Sequence, residues 1–400
     1  MLDIQLAEKI LDFQSQSNLL DRVENKGLNL FDELERLGLN YDALVYRDSG
    51  KRRWTGRKPL TLENFSTSPM GVPMVSFFTG CGGMDLGFEA SGFAHIASFE
   101  FNELFCKTLR KNRPSWKVFG PPIHSGDVSK FDEVAGILSK IIDTPFKGIF
   151  AGGPPCQPFS IAANQRFAKW GDNFKRTGFS HAKNGNLLFD YVNLILEFRP
   201  NVFIVENVPG LRDVDGGEQL SAAIRMLEHA GYTVAEPTVL DAAQFGIPQQ
   251  RLRLFLVGSR YGKVFKFPTQ KLEPIGAGSV LFKSISGVKN HETREHLPGS
   301  VRRYAQLGYG ARDQLGRVDR LNPHLPSKTV IAGGTAGGGR SHLHPEIPRT
   351  LSVRECARLQ TFPDDYVFVG ATARQFTQVG NAVPPVIAAH VAKAIAQQKF

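Results

Sequence analysis

Between positions 73 and 258 short apolar runs alternate with amphipathic segments, and this alternation constrains the fold of the 400-residue chain more than any other feature. The runs fall at 74–78, 96–100, 148–151, 202–205 and 252–257. Most are apolar enough to be strands buried on both faces. Helical patterns lie between them at 104–109, 134–142, 187–198 and 220–230. Together they predict an α/β fold with a doubly wound, mainly parallel sheet. Such sheets bind ligands outside the carboxyl ends of their strands, so the residues just after each run are the ones to search.

The flanking regions differ in character. Residues 1–72 form an N-terminal extension, with Leu2, Leu6, Ile10 and Phe13, and then Leu30, Phe31, Leu34 and Leu37, near helical spacing. Two short amphipathic helices are expected there, packed on the main domain. Residues 73–260 make that domain, residues 261–350 a smaller irregular lobe rich in Gly, Arg, His and Pro, and residues 351–400 a return to helix. Residues 1–50 carry 5 basic and 10 acidic side chains, whereas residues 261–350 carry 14 and 6. Positive charge concentrated in one segment is the footprint of a polyanion binder. No apolar run approaches the roughly 18–20 residues that cross a bilayer, and the amino end lacks a signal-peptide pattern. An intracellular protein without a membrane partner is expected. The four cysteines are widely separated and form no C-x-x-C pair, so neither a disulfide framework nor a metal site is expected.

The third run leads into Gly152-Gly153-Pro154-Pro155-Cys156-Gln157-Pro158-Phe159-Ser160, a stiff turn around one thiol. The turn alone suits a packed structural cysteine as well as a nucleophile. After the first run comes Phe78-Thr79-Gly80-Cys81-Gly82-Gly83, where a backbone with little side-chain cover can approach a ligand. Its spacing is not the G-x-G-x-x-G of dinucleotide enzymes. Glu100 ends the second run, placed to accept both hydroxyls of a ribose, and Asp127 follows the next helical segment, placed to meet an adenine amino group. Each acid also fits a solvated surface carboxylate. Glu206 closes the fourth run, where desolvation would raise its pKa and suit it to proton donation; a helix cap or an ion pair is the plain alternative. Arg251 and Arg253, two apart, are expected on one face of a strand, able to hold a carboxylate or carbonyl, or to pair with Glu206.

These pieces, with Arg354-Glu355, Arg358-Leu359-Gln360 and Gly380-Asn381, resemble in order the motifs of cytosine-5 DNA methyltransferases of bacterial restriction-modification systems. The resemblance spans about 74–258 and 351–385. It implies an S-adenosylmethionine-dependent methyltransferase fold, with residues 73–260 catalytic and cofactor-binding and residues 261–350 a target-recognition lobe. It further implies an enzyme that transfers a methyl group to C5 of a cytosine flipped out of duplex DNA. Cys156 would add to C6, Glu206 would support protonation at N3, and Arg253, with Arg251 in support, would hold the O2 side. Phe78, Gly80, Cys81, Gly83, Glu100, Phe101, Asp127, Val128, Pro155 and Asn381 would line the cofactor site, with Gln157 and Ser160 on DNA. A cognate restriction endonuclease acting separately, and a bacterial cytoplasm with the DNA of the nucleoid, are the associated expectations. The segment 161–186 would close over DNA. Ser76 departs from the acid that many members carry there, and residues 1–72 have no counterpart in the shared motifs. The same chemistry on tRNA is the nearest alternative, followed by a catalytically dead DNA-binding homologue.

Overall fold

The computed structural model describes residues 10–50, 52–155, 187–269, 271–332 and 342–398. Eight strands build the main sheet: β1 (Pro73–Phe77), β2 (Ala94–Phe99), β3 (Val118–Phe119), β4 (Ile149–Gly152), β5 (Val202–Asn207), β6 (Thr233–Val234), β7 (Thr238–Asp241) and β8 (Leu252–Ser259). Their order is β3-β2-β1-β4-β5-β8-β6, with β7 also on β8. The five strands from β3 to β5 are parallel; β8 runs antiparallel to β5, and β6 and β7 run antiparallel to β8. Residues of opposite parity enter opposite cores, as the strand period of two requires. Met74, Ile149, Ile204 and Val257 face the helix Pro385–Gln398. Val75, Phe77, Phe150, Phe203 and Val205 face the helices Phe131–Leu138, Leu187–Phe198 and Glu218–His229.

The helix Gly83–Ala90, absent from the sequence expectation, follows the first glycine turn and is buried from Gly83 to Phe88. Its polar residues are turned to partners, Asp85 to His95 and Glu89 to Arg113. It lies against Pro385–Gln398 so closely that a Cβ on Gly87 would come within 2.4 Å of the Pro385 carbonyl oxygen. The stretch Thr372–Gln398 is apolar and long enough to cross a membrane, but 78% of its apolar window is buried inside the fold and a break after Asn381 divides it into two core helices.

The region 261–350 is irregular, as expected, but it is not a separate body. Ala277, Val280, Leu281, Leu321 and Val330 share a core with Cys81, Leu109, Trp116 and the helix Val353–Leu359. The rest holds the short helix Pro298–Tyr304 and a small sheet of β9 (Arg312–Asp313), β10 (Val318–Arg320) and β11 (His342–Leu343).

The extension corrects one expectation. Its first described helix starts at Phe13, capped by the Asp12 side chain, and runs to Lys26; the second is Leu30–Arg36, capped by Asn29. Leu2 and Leu6 lie outside the described residues. The helices pack on Val301 of the 261–350 region and not on the main domain, with Leu19, Leu20, Val23, Leu30 and Leu34 buried around it.

Candidate active site

Five strand ends converge at one edge of the sheet. β1 passes into Phe78, which adopts φ 53, a region bulky side chains rarely enter. Gly80 and Gly82 follow at φ 59 and 82, and Gly82 caps the buried helix that begins at Gly83. Positive φ at these positions turns the backbone amides toward the neighbouring strand end, and the Gly80 amide donates to Glu100 Oε2 at 2.7 Å. The Asn102 amide donates to Oε1 at 2.6 Å, so both carboxylate oxygens are held by main chain. Burial raises the Glu100 pKa to about 7, and these two amides pull the other way. The Ser76 hydroxyl lies 3.1 Å from the Thr79 hydroxyl and supports the same turn.

The remaining cofactor candidates divide by exposure. Phe101 is 68% exposed directly beyond Glu100, a large ring left uncovered at a strand end. Asp127 is half-buried, its Oδ1 accepting from the Ser129 amide and hydroxyl, which fixes the loop that carries it. Cys81 and Val128 are buried. The Cys81 thiol donates to the Gln378 carbonyl at 3.3 Å, and its own carbonyl accepts from Tyr366, so these two residues can serve a ligand only through backbone. Pro155 and Asn381 are exposed at the rim.

The second cluster stands at the ends of β4, β5 and β8. Glu206 Oε1 pairs with Arg253 Nε at 2.9 Å, both side chains almost wholly buried. Burial raises the Glu206 pKa, while Arg253 and then Arg251 lower it. Its other oxygen lies against Gly153, where a Cβ would approach to 3.0 Å. Asn207 Nδ2 donates to the Pro154 carbonyl at 3.0 Å, pinning the proline turn to β5. The sequence reading gave Asn207 no role; a polar residue directly after a buried carboxylate was the available signal. Cys156, Gln157, Ser160 and the 161–186 segment lie outside the described residues, which resume at Leu187.

Arg251 is engaged differently from Arg253. The residue is 1% exposed, and its guanidinium donates to the carbonyls of Val330 at 2.9 Å, Gly380 at 2.6 Å and Ala382 at 2.9 Å. It precedes the first residue of β8, so the alternation rule that predicted one shared face does not reach it. Gln249 and Gln360 extend this junction: the Val330 amide donates to Gln249 Oε1, Gln249 Nε2 donates to Gln360 Oε1, and Gln360 Nε2 donates to the Val379 carbonyl. Arg354 and Arg358 are likewise structural, the first on the carbonyls of Lys289, Pro363 and Tyr366, the second on Asp364 and on the Lys283 and Ser284 carbonyls. Among the described residues no group of acids, histidines and cysteines is arranged to hold a metal ion.

A profile of C-5 cytosine-specific DNA methylases matches residues 72–305 and 288–397. The chain belongs to that family. Among curated relatives, the Type II methyltransferase M.PspPI of Psychrobacter is 31% identical over 350 residues, covering 80% of this chain and 78% of its own. M.NgoFVII of Neisseria gonorrhoeae is 32% identical over 360 residues, covering 84% and 89%. The fold is that of a solved candidate DNA modification methyltransferase encoded within an Escherichia coli prophage, with a TM-score of 0.65 at 22% identity and coverage of 82% of this chain and 99% of that one. The methylase profile begins at residue 72, so the extension stands outside it.

Proposed function

We propose that this methylase transfers the methyl group of S-adenosylmethionine to C5 of a cytosine flipped out of a specific duplex DNA site, through a covalent bond between Cys156 and C6. The observation that carries the reading is the buried Glu206–Arg253 pair, 2.9 Å apart and set against the Gly153–Pro155 turn that leads directly to Cys156. A neutral cytosine ring resists attack at C6. Glu206, held in a desolvated site that raises its pKa, can deliver a proton to N3, while Arg253 donates to the O2 carbonyl, and both make the ring an acceptor for the Cys156 thiolate. Addition at C6 gives C5 enamine character; after methylation, loss of the C5 proton re-forms the double bond and expels the thiolate.

The first cluster fits an adenosyl ligand. Its buried carboxylate is aligned by two amides next to an uncovered aromatic ring. Glu100 would take the ribose hydroxyls, Phe101 the adenine face and Asp127 its amino group, with the backbone of Phe78, Gly80, Cys81, Gly83 and Val128 and the rim residues Pro155 and Asn381 completing the site. When bound, S-adenosylmethionine supplies an electrophilic methyl group. Residues 261–350 would read base edges in the major groove, and Gln157 and Ser160 would contact the DNA beside the flipped base. The relatives' Type II names suggest a restriction-modification setting, with a cognate endonuclease acting separately in the same bacterial cytoplasm.

Duplex DNA carrying 5-fluorocytosine tests the reading, because fluorine at C5 cannot leave as a proton. A denaturant-stable protein–DNA adduct is expected, absent in Cys156→Ser. Methyl label entering tRNA and not duplex DNA would overturn the substrate, and an adduct surviving in Cys156→Ser would overturn the nucleophile.

A further inference from the structure

The acidic extension and the basic region 261–350 are charge partners of each other. Arg302 pairs with Asp21 at 2.9 Å and Glu24 at 2.7 Å. Arg349, 1% exposed, pairs with Asp42 at 3.1 Å as well as with Glu355. Arg320, wholly buried, pairs with Asp48 and lies between the rings of Tyr46 and Tyr309, 3.6 and 4.1 Å from their centres. Buried guanidinium groups are costly without partners, and the extension supplies part of what these need. Neutral contacts follow the same line: the Tyr46 hydroxyl donates to the His344 carbonyl at 2.9 Å, and the His296 amide donates to the Tyr41 hydroxyl at 2.9 Å. Pro298–Tyr304, only 7 residues long, is too short to persist alone, and its Val301 is buried among the extension's leucines.

Residues 59–72 fasten the same extension to the main domain. The Leu60 amide donates to the Gly246 carbonyl at 3.0 Å, the Met70 amide donates to the Gly92 carbonyl at 2.8 Å, and Phe65 enters the sheet core beside Met74. The extension therefore contacts both the 261–350 region and the main domain. We infer that residues 10–72 are a brace that completes the target-reading lobe, so that its contacts with that lobe govern DNA capture and leave cofactor capture alone. The inference rests on reading 261–350 as the part that meets DNA.

A specific protease site in place of the exposed 55–58 turn allows the brace to be cut after the full chain has folded. The cut fragment should co-elute with the remainder, and KM for duplex DNA should stay unchanged. Adding Val23→Asp, which opens the core around Val301, should release the fragment on cutting. KM for DNA should then rise between about ten- and a hundredfold, the scale of a displaced binding element, while KM for S-adenosylmethionine and kcat at saturating DNA stay within about twofold. An arm-free protein with unchanged KM for DNA would overturn the inference, as would parallel loss of cofactor affinity. If the uncut protein moves no methyl to duplex DNA, the enzymatic reading falls first. Retention of the cut wild-type fragment then judges the brace separately, and spontaneous dissociation overturns it.

Discussion

Glu100 and Glu206 are both buried carboxylates at strand ends, and burial raises both pKa values, yet they are satisfied in different ways. Glu100 is held by two backbone amides that cannot move without moving β1 and β2. Glu206 is held by one side chain, Arg253, at 2.9 Å. Main-chain donors preorganise a carboxylate as a fixed acceptor. A side-chain partner can be redirected to an incoming base, leaving the acid desolvated and readier to bind a proton. On the proposed reading the Glu100 edge serves as rigid binding surface and the Glu206 edge as exchangeable acid–base machinery.

Removing the exchangeable acid breaks the contrast most severely. Glu206→Gln keeps the size and an amide donor for N3 but cannot transfer a proton, so single-turnover methylation should fall by about 10²–10⁴-fold. Binding of S-adenosylmethionine, measured by titration, should not change. A loss of less than about fivefold would mean that Glu206 is only an ion-pair partner.

The two arginines sharpen the comparison at intermediate scale. Arg253→Lys preserves charge but loses the fork, and should cost about 10–100-fold in rate with little change in melting temperature. Arg251→Ala leaves three buried carbonyls without their donor and should destabilise the fold by about 3–5 kcal/mol, read from denaturant midpoints. Equal effects on stability would erase the distinction between Arg253, which pairs with Glu206, and Arg251, which ties Val330 to the Gly380–Ala382 backbone.

The sequence made the parallel core legible because runs such as Val202–Val205 are apolar at every position and can only be buried. It placed Glu206 at the strand end for the same reason. The reversed direction of β8 was hidden, since an apolar run reads alike in either sense. Two-residue strands such as β3 and β6 carry no period at all. Part of the charge of 261–350 is matched within the chain: Arg302, Arg320 and Arg349 pair with acids about 270 to 310 residues away in sequence, and no local pattern reveals such long-range pairing. The prolines single out the Cys156 turn in the sequence, but Cys156 itself lies outside the described residues.

The smallest effect expected concerns Glu100 and pH. Its pKa of about 7 in the fold, against an ordinary 4.5, means that the native state holds this proton more tightly than the unfolded chain does. Its contribution to stability is therefore complete below about pH 4.5 and is lost as pH rises through about 7. Cofactor capture should run in the opposite sense, because an ionised carboxylate is the better acceptor for two hydroxyls. Affinity for S-adenosylmethionine should climb between pH 6 and 8 by no more than about tenfold per unit, the limit for one ionisation, and then level off. Glu100→Gln should flatten that rise while lowering affinity throughout. A rise that persists in Glu100→Gln would assign the titration elsewhere and leave the two backbone amides as sufficient to keep Glu100 ionised at every pH tested.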